Sequence, residues 1–445
     1  MPAAVIRSSR VLPRLAGVPS LTLTAGTATH LVDREGRRYF DAISGAMVVN
    51  LGYANERIIA AMERQARQLS YAHNGRYTTE ATETLATRLA ARLDGDYRIY
   101  FCSSGSETIE AALRIAYAYH AARGHPERHQ VVSTRQAYHG ASLGALRASG
   151  IRRIREPFEL FVGPGVLVAG CNCAACPFGL TYPSCNVRCA DEPLDALRRE
   201  DVGAMAVESM GANAIGAVLP PPTYLHRLHD HAIRHDRLLI LDEIATAIGR
   251  TGRDFAFQHG DPFQPDLVCF SKGIGVGYVN VGAVAVHGRV ADVVMRGRQA
   301  LLGHTYNGNP IACAVGNAVL DQLDEQQLAS RCAELGDFLL AELRAVARHR
   351  QGIRDVRGKG LLVAIDIGRG AERCAPEEQA SLRIYTALLR RGMLSLPGSG
   401  SADGVLGDHV LLAPPFISTR TDLSLLVEAV DDAFREFDAT RRLPA

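Results

Sequence analysis

Residues 237–243 read RLLILDE and residues 266–272 read DLVCFSK. Each is an apolar run that ends on an ionisable side chain, Asp242 in the first, with Glu243 after it, and Lys272 in the second. Uninterrupted apolar residues over this length describe a strand covered on both faces, since a strand with one wet face would alternate apolar with polar. Runs of the same kind surround this pair: YRIYF at 97–101, QVVST at 130–134, AMAVE at 204–208 and VGAVAV at 281–286. Helical stretches separate them. Ile109, Ala112, Leu113 and Ala116 repeat at helical spacing and predict a helix over 107–122, with Gly124 placed to end it. The rhythm is α/β, with a mostly parallel sheet whose faces are covered by helices.

The chain has 445 residues, enough for two or three units with a sizeable core. Hydrophobic residues at 47% and charged residues at 22% exclude general disorder. Forty-nine basic against forty-seven acidic side chains give a net charge of +2, too small to make nucleic acid or an anionic membrane the main partner. No run reaches the ~18 apolar residues of a membrane helix, and MPAAVIRSSRVLPRL lacks the pattern of a secretory leader. A cytoplasmic protein with reduced thiols is expected. After Pro310 a long helical stretch leads into a second, smaller α/β pattern containing LLVAIDI (361–367) and HVLLAPPF (409–416). The first sixty residues carry LTLTAG, THLVD and RRYFDA. The expected division is an N-terminal segment 1–60 packed with a small domain 316–445, and a large domain 61–315 holding a Cys-rich insertion at 170–190.

Three strands deliver Glu208, Asp242 and Lys272 at or just past their carboxyl ends, the edge where open α/β sheets bind ligands. One such charge is commonly a solvated loop residue; three at one edge favour a site. Ser103-Ser104-Gly105-Ser106-Glu107 lies between a strand and a helix, where free N–H groups and the helix dipole favour an anion such as phosphate. A plain helix cap by Ser104 or Ser106 is the competing reading. Gly273-x-Gly275-x-Gly277 is no dinucleotide fingerprint, because a lysine precedes it and a strand, not a helix, follows.

SSGSETIEAA (103–112), AYHGASLGAL (137–146), LLILDEIATAIGRTG (238–252), DLVCFSKGIGVGY (266–278) and GHTYNGNP (303–310) occur in an order that resembles the class III aminotransferases. The resemblance implies a pyridoxal 5'-phosphate enzyme of fold type I, with a mostly parallel seven-stranded sheet in its large domain. It implies that Lys272 forms the internal Schiff base with the cofactor and serves as general acid–base. Asp242 would pair with the pyridine nitrogen. Ile244, two residues on in the same strand, would press one face of the ring, and Tyr138, followed by His139, would stack on the other. Ser104, Gly105 and Ser106 would hold the phosphate, with Thr305 reaching it from a neighbouring subunit of a homodimer. Glu208 would lie near the ring oxygen or a substrate-binding arginine, with Ser209 where relatives carry proline.

Departures from the pattern fall where relatives hold substrate. Met47 stands in place of a frequent aromatic, Tyr53 of a common histidine and Asn280 of a usual proline. Many class III enzymes carry an arginine shortly before the C-terminal Pro-Pro block, yet none occurs between Arg391 and Arg420. Arg147, Arg152 and Arg153 are the candidate replacements. The leading expectation is transfer of an amino group between an amine or amino acid and a keto acid or other small carbonyl compound. The alternative diverts the same carbanion to epimerisation, decarboxylation, elimination or carbon–carbon bond formation. A catalytically silent binding protein of the same fold is a third reading. In the insertion, Cys171, Cys173, Cys176, Cys185 and Cys189 crowd together. Cys173, Cys176, Cys185 and Cys189 could bind a structural zinc or form disulfides. Packed free thiols are the favoured reading, with no catalytic metal.

Overall fold

The central sheet of the computed structural model, which describes residues 10–12, 21–297 and 303–440, has seven strands. In chain order they are β1 (Tyr97–Cys102), β2 (Gln130–Thr134), β3 (Val166–Val168), β4 (Val202–Glu208), β5 (Leu238–Asp242), β6 (Leu267–Phe270) and β7 (Gly282–His287). Their order across the sheet is β1-β7-β6-β5-β4-β2-β3. Only β7 runs against its neighbours β1 and β6; the others pair in parallel. The sheet is thus mostly parallel, and the fold is α/β.

Continuous apolar runs belong here because both faces are covered. Leu238 and Ile240 of β5 enter one core with Ile109, Ala112, Ile115 and Ala116 of helix α1 (Gly105–Ala122). Leu239 and Leu241 point the other way, into a core shared with Met205, Val207, Val268 and Phe270. Alternation therefore survives in direction while vanishing in polarity. Helix α1 starts two residues before the predicted 107, because Ser104 caps it with a hydroxyl that accepts from the Glu107 N–H at 3.3 Å. The Glu107 carboxylate in turn accepts from the Ser103 N–H at 2.8 Å.

Register then fixes what meets at the edge. Glu208 of β4 stands opposite Asp242 of β5, and Asp242 opposite Cys269 of β6. Strand β6 stops at Phe270, so Lys272 sits beyond the sheet, in a single 3₁₀ turn (Lys272–Ile274) with φ +44°.

The N-terminal strands Leu23–Thr27, His30–Asp33 and Arg38–Asp41 form an antiparallel set extended by Met393–Leu394, which pairs in parallel with Arg38–Asp41. Strands Ile353–Lys359, Leu362–Arg369, Asp408–Leu412 and Leu396–Ser399 make a third, antiparallel sheet. The stretch read for a targeting signal lies mostly outside the described residues. Among the described residues no helix is long and apolar enough to cross a membrane.

One side chain joins these parts. Arg250 is fully buried, and its guanidinium donates to the carbonyls of Leu361 (2.9 Å) and Pro414 (2.7 Å), to Ser44 Oγ (3.2 Å) and to Asn50 Oδ1. It also lies over the Phe416 ring, 4.7 Å from the centroid. Burial pulls its pKa down to about 10, with the nearby Cys332 thiol and Asp41 carboxylate acting the other way. Substituting Arg250→Leu leaves four acceptors unmet in the interior and is expected to cost roughly 3–5 kcal/mol, read as a lower denaturation midpoint. Arg67→Ala, which removes an exposed pair with Glu63, should leave the midpoint unchanged.

Candidate active site

At the carboxyl edge of β4, β5 and β6 opens a cavity of about 230 Å³. Lys272 and Asp242 both line it, together with Ser104, Gly105, Ser106, Tyr138, His139, Glu208, Ile244 and Met47. Residues from six separate stretches of chain converge because strand ends and one helix start share an edge.

The N-terminus of α1 forms one wall. The first N–H groups of a helix have no acceptor within it, so those of Gly105 and Ser106 are available at the cavity. Gly105 is there for room: a Cβ on it would lie 3.1 Å from Ile244 Cγ2. Gly140 has φ +135°, and a Cβ on it would lie 2.6 Å from Ser106 Oγ. Ser106 Oγ accepts from the Ala141 N–H at 3.1 Å, which leaves its own proton free to donate.

The acidic wall is tightly wired. Asp242 is nearly buried; its Oδ1 accepts from the Ile244 N–H at 3.0 Å and its Oδ2 from His139 Nδ1 at 2.8 Å. On the far side of the imidazole, Nε2 lies 3.0 Å from Ser133 Oγ. Burial works against charge on His139, but the hydrogen bond and charge of Asp242 outweigh it and hold its pKa above the ordinary 6.5. The histidine is thus held against the Asp242 carboxylate by a buried hydrogen bond. Beside them, Glu208 accepts from the N–H groups of Tyr138 (3.3 Å) and Ala212 (3.4 Å). Burial pushes its carboxyl up to about 7; the His139 charge opposes that shift and the Asp242 charge adds to it. Ser209 donates its N–H to the Asp242 carbonyl at 3.3 Å, a bond that proline could not make.

Several expectations need correction. Ile244 does not reach the cavity as the next same-side residue of a strand: β5 ends at Asp242, and a turn closed by the Ile244 N–H on the Asp242 carboxylate brings it in. Tyr53 is not a wall of the cavity. Its hydroxyl donates to Asp41 at 2.6 Å, and its ring packs so closely on Gly26 that a Cβ there would lie 2.7 Å from Tyr53 Cγ. Arg147 is also elsewhere, donating to the Pro164 carbonyl (3.0 Å) and to Gln130 Oε1 (2.9 Å), and Gln130 opens β2 at the opposite edge of the sheet. Arg152 pairs with Glu156 at 2.6 Å, and Arg153 donates to Ser399. Thr305 is exposed, with its carbonyl accepting from the Tyr71 hydroxyl at 3.1 Å. The cavity also gains Met210, Ala212, Asn213 and Thr246, which no sequence pattern had marked.

A fold and cavity of this kind have known counterparts. The sequence profile described as aminotransferase class-III matches residues 13–434. An uncharacterized aminotransferase YhxA of Bacillus subtilis is 32% identical over 94% of this chain and 92% of its own length. An omega-aminotransferase of Caulobacter vibrioides is 32% identical, covering 91% of each chain. Among solved structures, a thermostable (S)-enantioselective omega-transaminase from Thermomicrobium roseum superposes with a TM-score of 0.88 at 30% identity over 97% of both chains. An amine transaminase from an uncultivated Pseudomonas species, solved in its PLP-bound form, gives 0.86 at 28% identity over 96% of this chain and 98% of that one. The chain belongs to the class III aminotransferases, pyridoxal-phosphate-dependent enzymes of fold type I that move amino groups between small molecules.

Proposed function

We propose that Lys272 and Asp242 are the catalytic pair of this aminotransferase, and that its amine substrates carry no second carboxylate. The observation that carries the first part is that both side chains line one cavity from neighbouring strand ends. The cavity suits the cofactor: helix N–H groups and the Ser106 hydroxyl for a phosphate, a buried carboxylate for a ring nitrogen, and Ile244 and Tyr138 for the ring faces. Gly105 and Gly140 keep clear the space that a Cβ would fill.

When bound, pyridoxal phosphate supplies a ring that draws electrons from the substrate carbon bearing the amine. Lys272 binds the cofactor through Nζ and moves the proton at that carbon. Asp242 would hold the proton at the ring nitrogen, and the His139 hydrogen bond keeps Asp242 in place. Glu208, protonated to about pH 7, presents a donor beside the ring. Ser104 fixes the helix start whose N–H groups hold the phosphate.

For the second part, no arginine is among the described residues lining the cavity, and Met47, Met210, Ala212 and Ala245 give its substrate side an apolar character. Without a planar two-point anchor, a dicarboxylate binds poorly. The homodimer, with Thr305 contributed to the phosphate of the neighbouring subunit, is supported by the exposed aromatic surface around it. Tyr71, Tyr77 and Tyr306 are all exposed, and the Tyr71 and Tyr306 rings meet edge to face at 6.1 Å. Pairing of Arg38–Asp41 with Met393–Leu394 supports grouping residues 1–60 with 316–445, against a large unit 61–315. Free cysteines throughout fit a cytoplasmic protein.

Three outcomes are expected. Holoenzyme incubated with an amine should convert its cofactor to the amine form, and Lys272→Ala should lose both that conversion and the imine absorption band, with turnover down by more than about 10³. Pyruvate should exceed 2-oxoglutarate as acceptor in kcat/KM; equal efficiency would refute the substrate reading. For Glu208 the folded carboxyl titrates near 7 against an ordinary 4.5, so the folded state binds this proton more tightly. Its stabilisation is complete below pH 4.5 and lost as pH rises through 7. Denaturation of the apoprotein should show the advantage of wild type over Glu208→Gln shrinking across that window, by up to about 3 kcal/mol.

A further inference from the structure

Five of the ten cysteines, Cys171, Cys173, Cys176, Cys185 and Cys189, line one cavity of about 180 Å³ within the insertion. Two of them touch, with Sγ atoms of Cys171 and Cys173 3.9 Å apart. Cys171 also hydrogen-bonds Cys189, so three sulfurs meet at one residue. All ten are thiols, and among the described residues no three His, Cys, Asp or Glu side chains gather as a metal ion would require. These sulfurs are close enough to react with one another but are not disposed about a common centre.

Exposure and hydrogen bonding divide their roles. Cys173 is exposed, Cys171 half-buried and Cys189 buried. Cys171 is hydrogen-bonded to both of the other sulfurs. That hydrogen bond brings the Cys173 thiol down to about 7 against the opposing effect of burial, and drives Cys171 itself up. An accessible thiol of that acidity is about half thiolate at neutral pH, and thiolate is the form that attacks peroxides.

We propose that Cys173 and Cys171 are a reversible redox pair, in which a hydroperoxide oxidises Cys173 and Cys171 then closes the disulfide. The Cys173 sulfur attacks one peroxide oxygen and the O–O bond breaks. The departing alkoxide or hydroxide takes a proton and leaves as alcohol or water, with Cys173 now a sulfenic acid. Cys171 gives up its proton, its sulfur attacks that of Cys173, and the S–O bond breaks to release water. Two thiols lose two electrons, and one peroxide gains them.

The bond acts on a structural strap. Its sulfurs must close from 3.9 Å to about 2.05 Å, so the backbone at 171–173 has to shift. Asn172, between the two cysteines, donates to the Ser401 carbonyl at 2.9 Å. The neighbouring Ala174 carbonyl accepts from Arg354 (3.2 Å) and Arg373 (2.9 Å). Cys171 also shares a small cavity of about 30 Å³ with Glu208 and Tyr224, so the movement begins one wall away from the active site.

Peptide mapping tests the pairing. Trypsin cuts after Arg155 and Arg188, which places Cys171, Cys173, Cys176 and Cys185 in one peptide and Cys189 at the start of the next. Holoenzyme treated with one equivalent of hydrogen peroxide and then alkylated should yield the 156–188 peptide with two alkyl groups where the reduced control carries four, and two hydrogens lighter than the doubly alkylated reduced peptide. Fragment ions should set the link between Cys171 and Cys173, and dithiothreitol should reverse it. Cys171→Ser and Cys173→Ser should abolish the link, while Cys176→Ser and Cys185→Ser retain it. Hydrogen exchange should rise at residues 172–174 and around Ser401 on oxidation. A cross-link to the peptide that begins at Cys189, a link that survives in Cys173→Ser, or thiols left unmodified would each overturn the proposal.

Discussion

In-register pairing of β4 with β5 forces two carboxylates side by side at the end of a buried sheet, Glu208 against Asp242 on strands about 4.8 Å apart. Two anions at that spacing in a poorly solvated place are costly, and the molecule resolves the conflict by giving them different states. His139 bonds to Asp242, while Glu208 holds its proton into the neutral range. The asymmetry is what a cofactor ring needs: an anion for its nitrogen and a donor nearby. The loop carrying Tyr138 and His139 serves both acids, since the Tyr138 N–H donates to Glu208 and the next side chain reaches Asp242.

The opposite side of the site depends on Arg250 through Asn50. Asn50 Oδ1 accepts from the buried guanidinium, and a Cβ on Gly273 would lie 2.6 Å from Asn50 Nδ2. The residue after Lys272 must therefore be glycine for the lysine loop to rest on the N-terminal segment. Ser44, also held by Arg250, donates to the Ala413 carbonyl at 2.7 Å, and Met47 lies three residues on as a wall of the cavity. Global packing and pocket shape are thus set by the same buried cation.

Strand identity was readable because burial on both faces writes itself as apolar runs, and β2 fell at 130–134 as predicted. Asp242 and Lys272 were readable as a site because charge at the end of such runs is rare enough to notice. Contacts made across the fold were not. His139 and Asp242 are 103 positions apart, and nothing local in either segment signals the hydrogen bond between them. Arg147 failed as a pocket candidate for a related reason: its place on a short helix after the Tyr138 loop says nothing about which edge of the sheet its guanidinium reaches. The early start of α1 shows the same limit on a small scale, because a glycine at a helix start lowers propensity and only the cap at Ser104 reveals that the helix has begun.

Two departures from the family pattern, Met47 and Ser209, meet the cavity or adjoin it. Ser104 to Ser106, Tyr138, Asp242 and Lys272, the residues that carry the family pattern, all line the cavity. Met47 is one wall of that cavity and Ser209 opens the stretch that carries Met210, Ala212 and Asn213 into it, while Tyr53 packs on Gly26 away from it. Ser209 adds an N–H bond to the Asp242 carbonyl, so this wall is anchored to the strand end that carries Asp242. Without the fixed φ of proline, the turn leading to Met210, Ala212 and Asn213 is set by that bond and by the Ala212 N–H on Glu208. A wall hung from the strand ends that carry Glu208 and Asp242 can change shape with its side chains while those two carboxylates stay where they are.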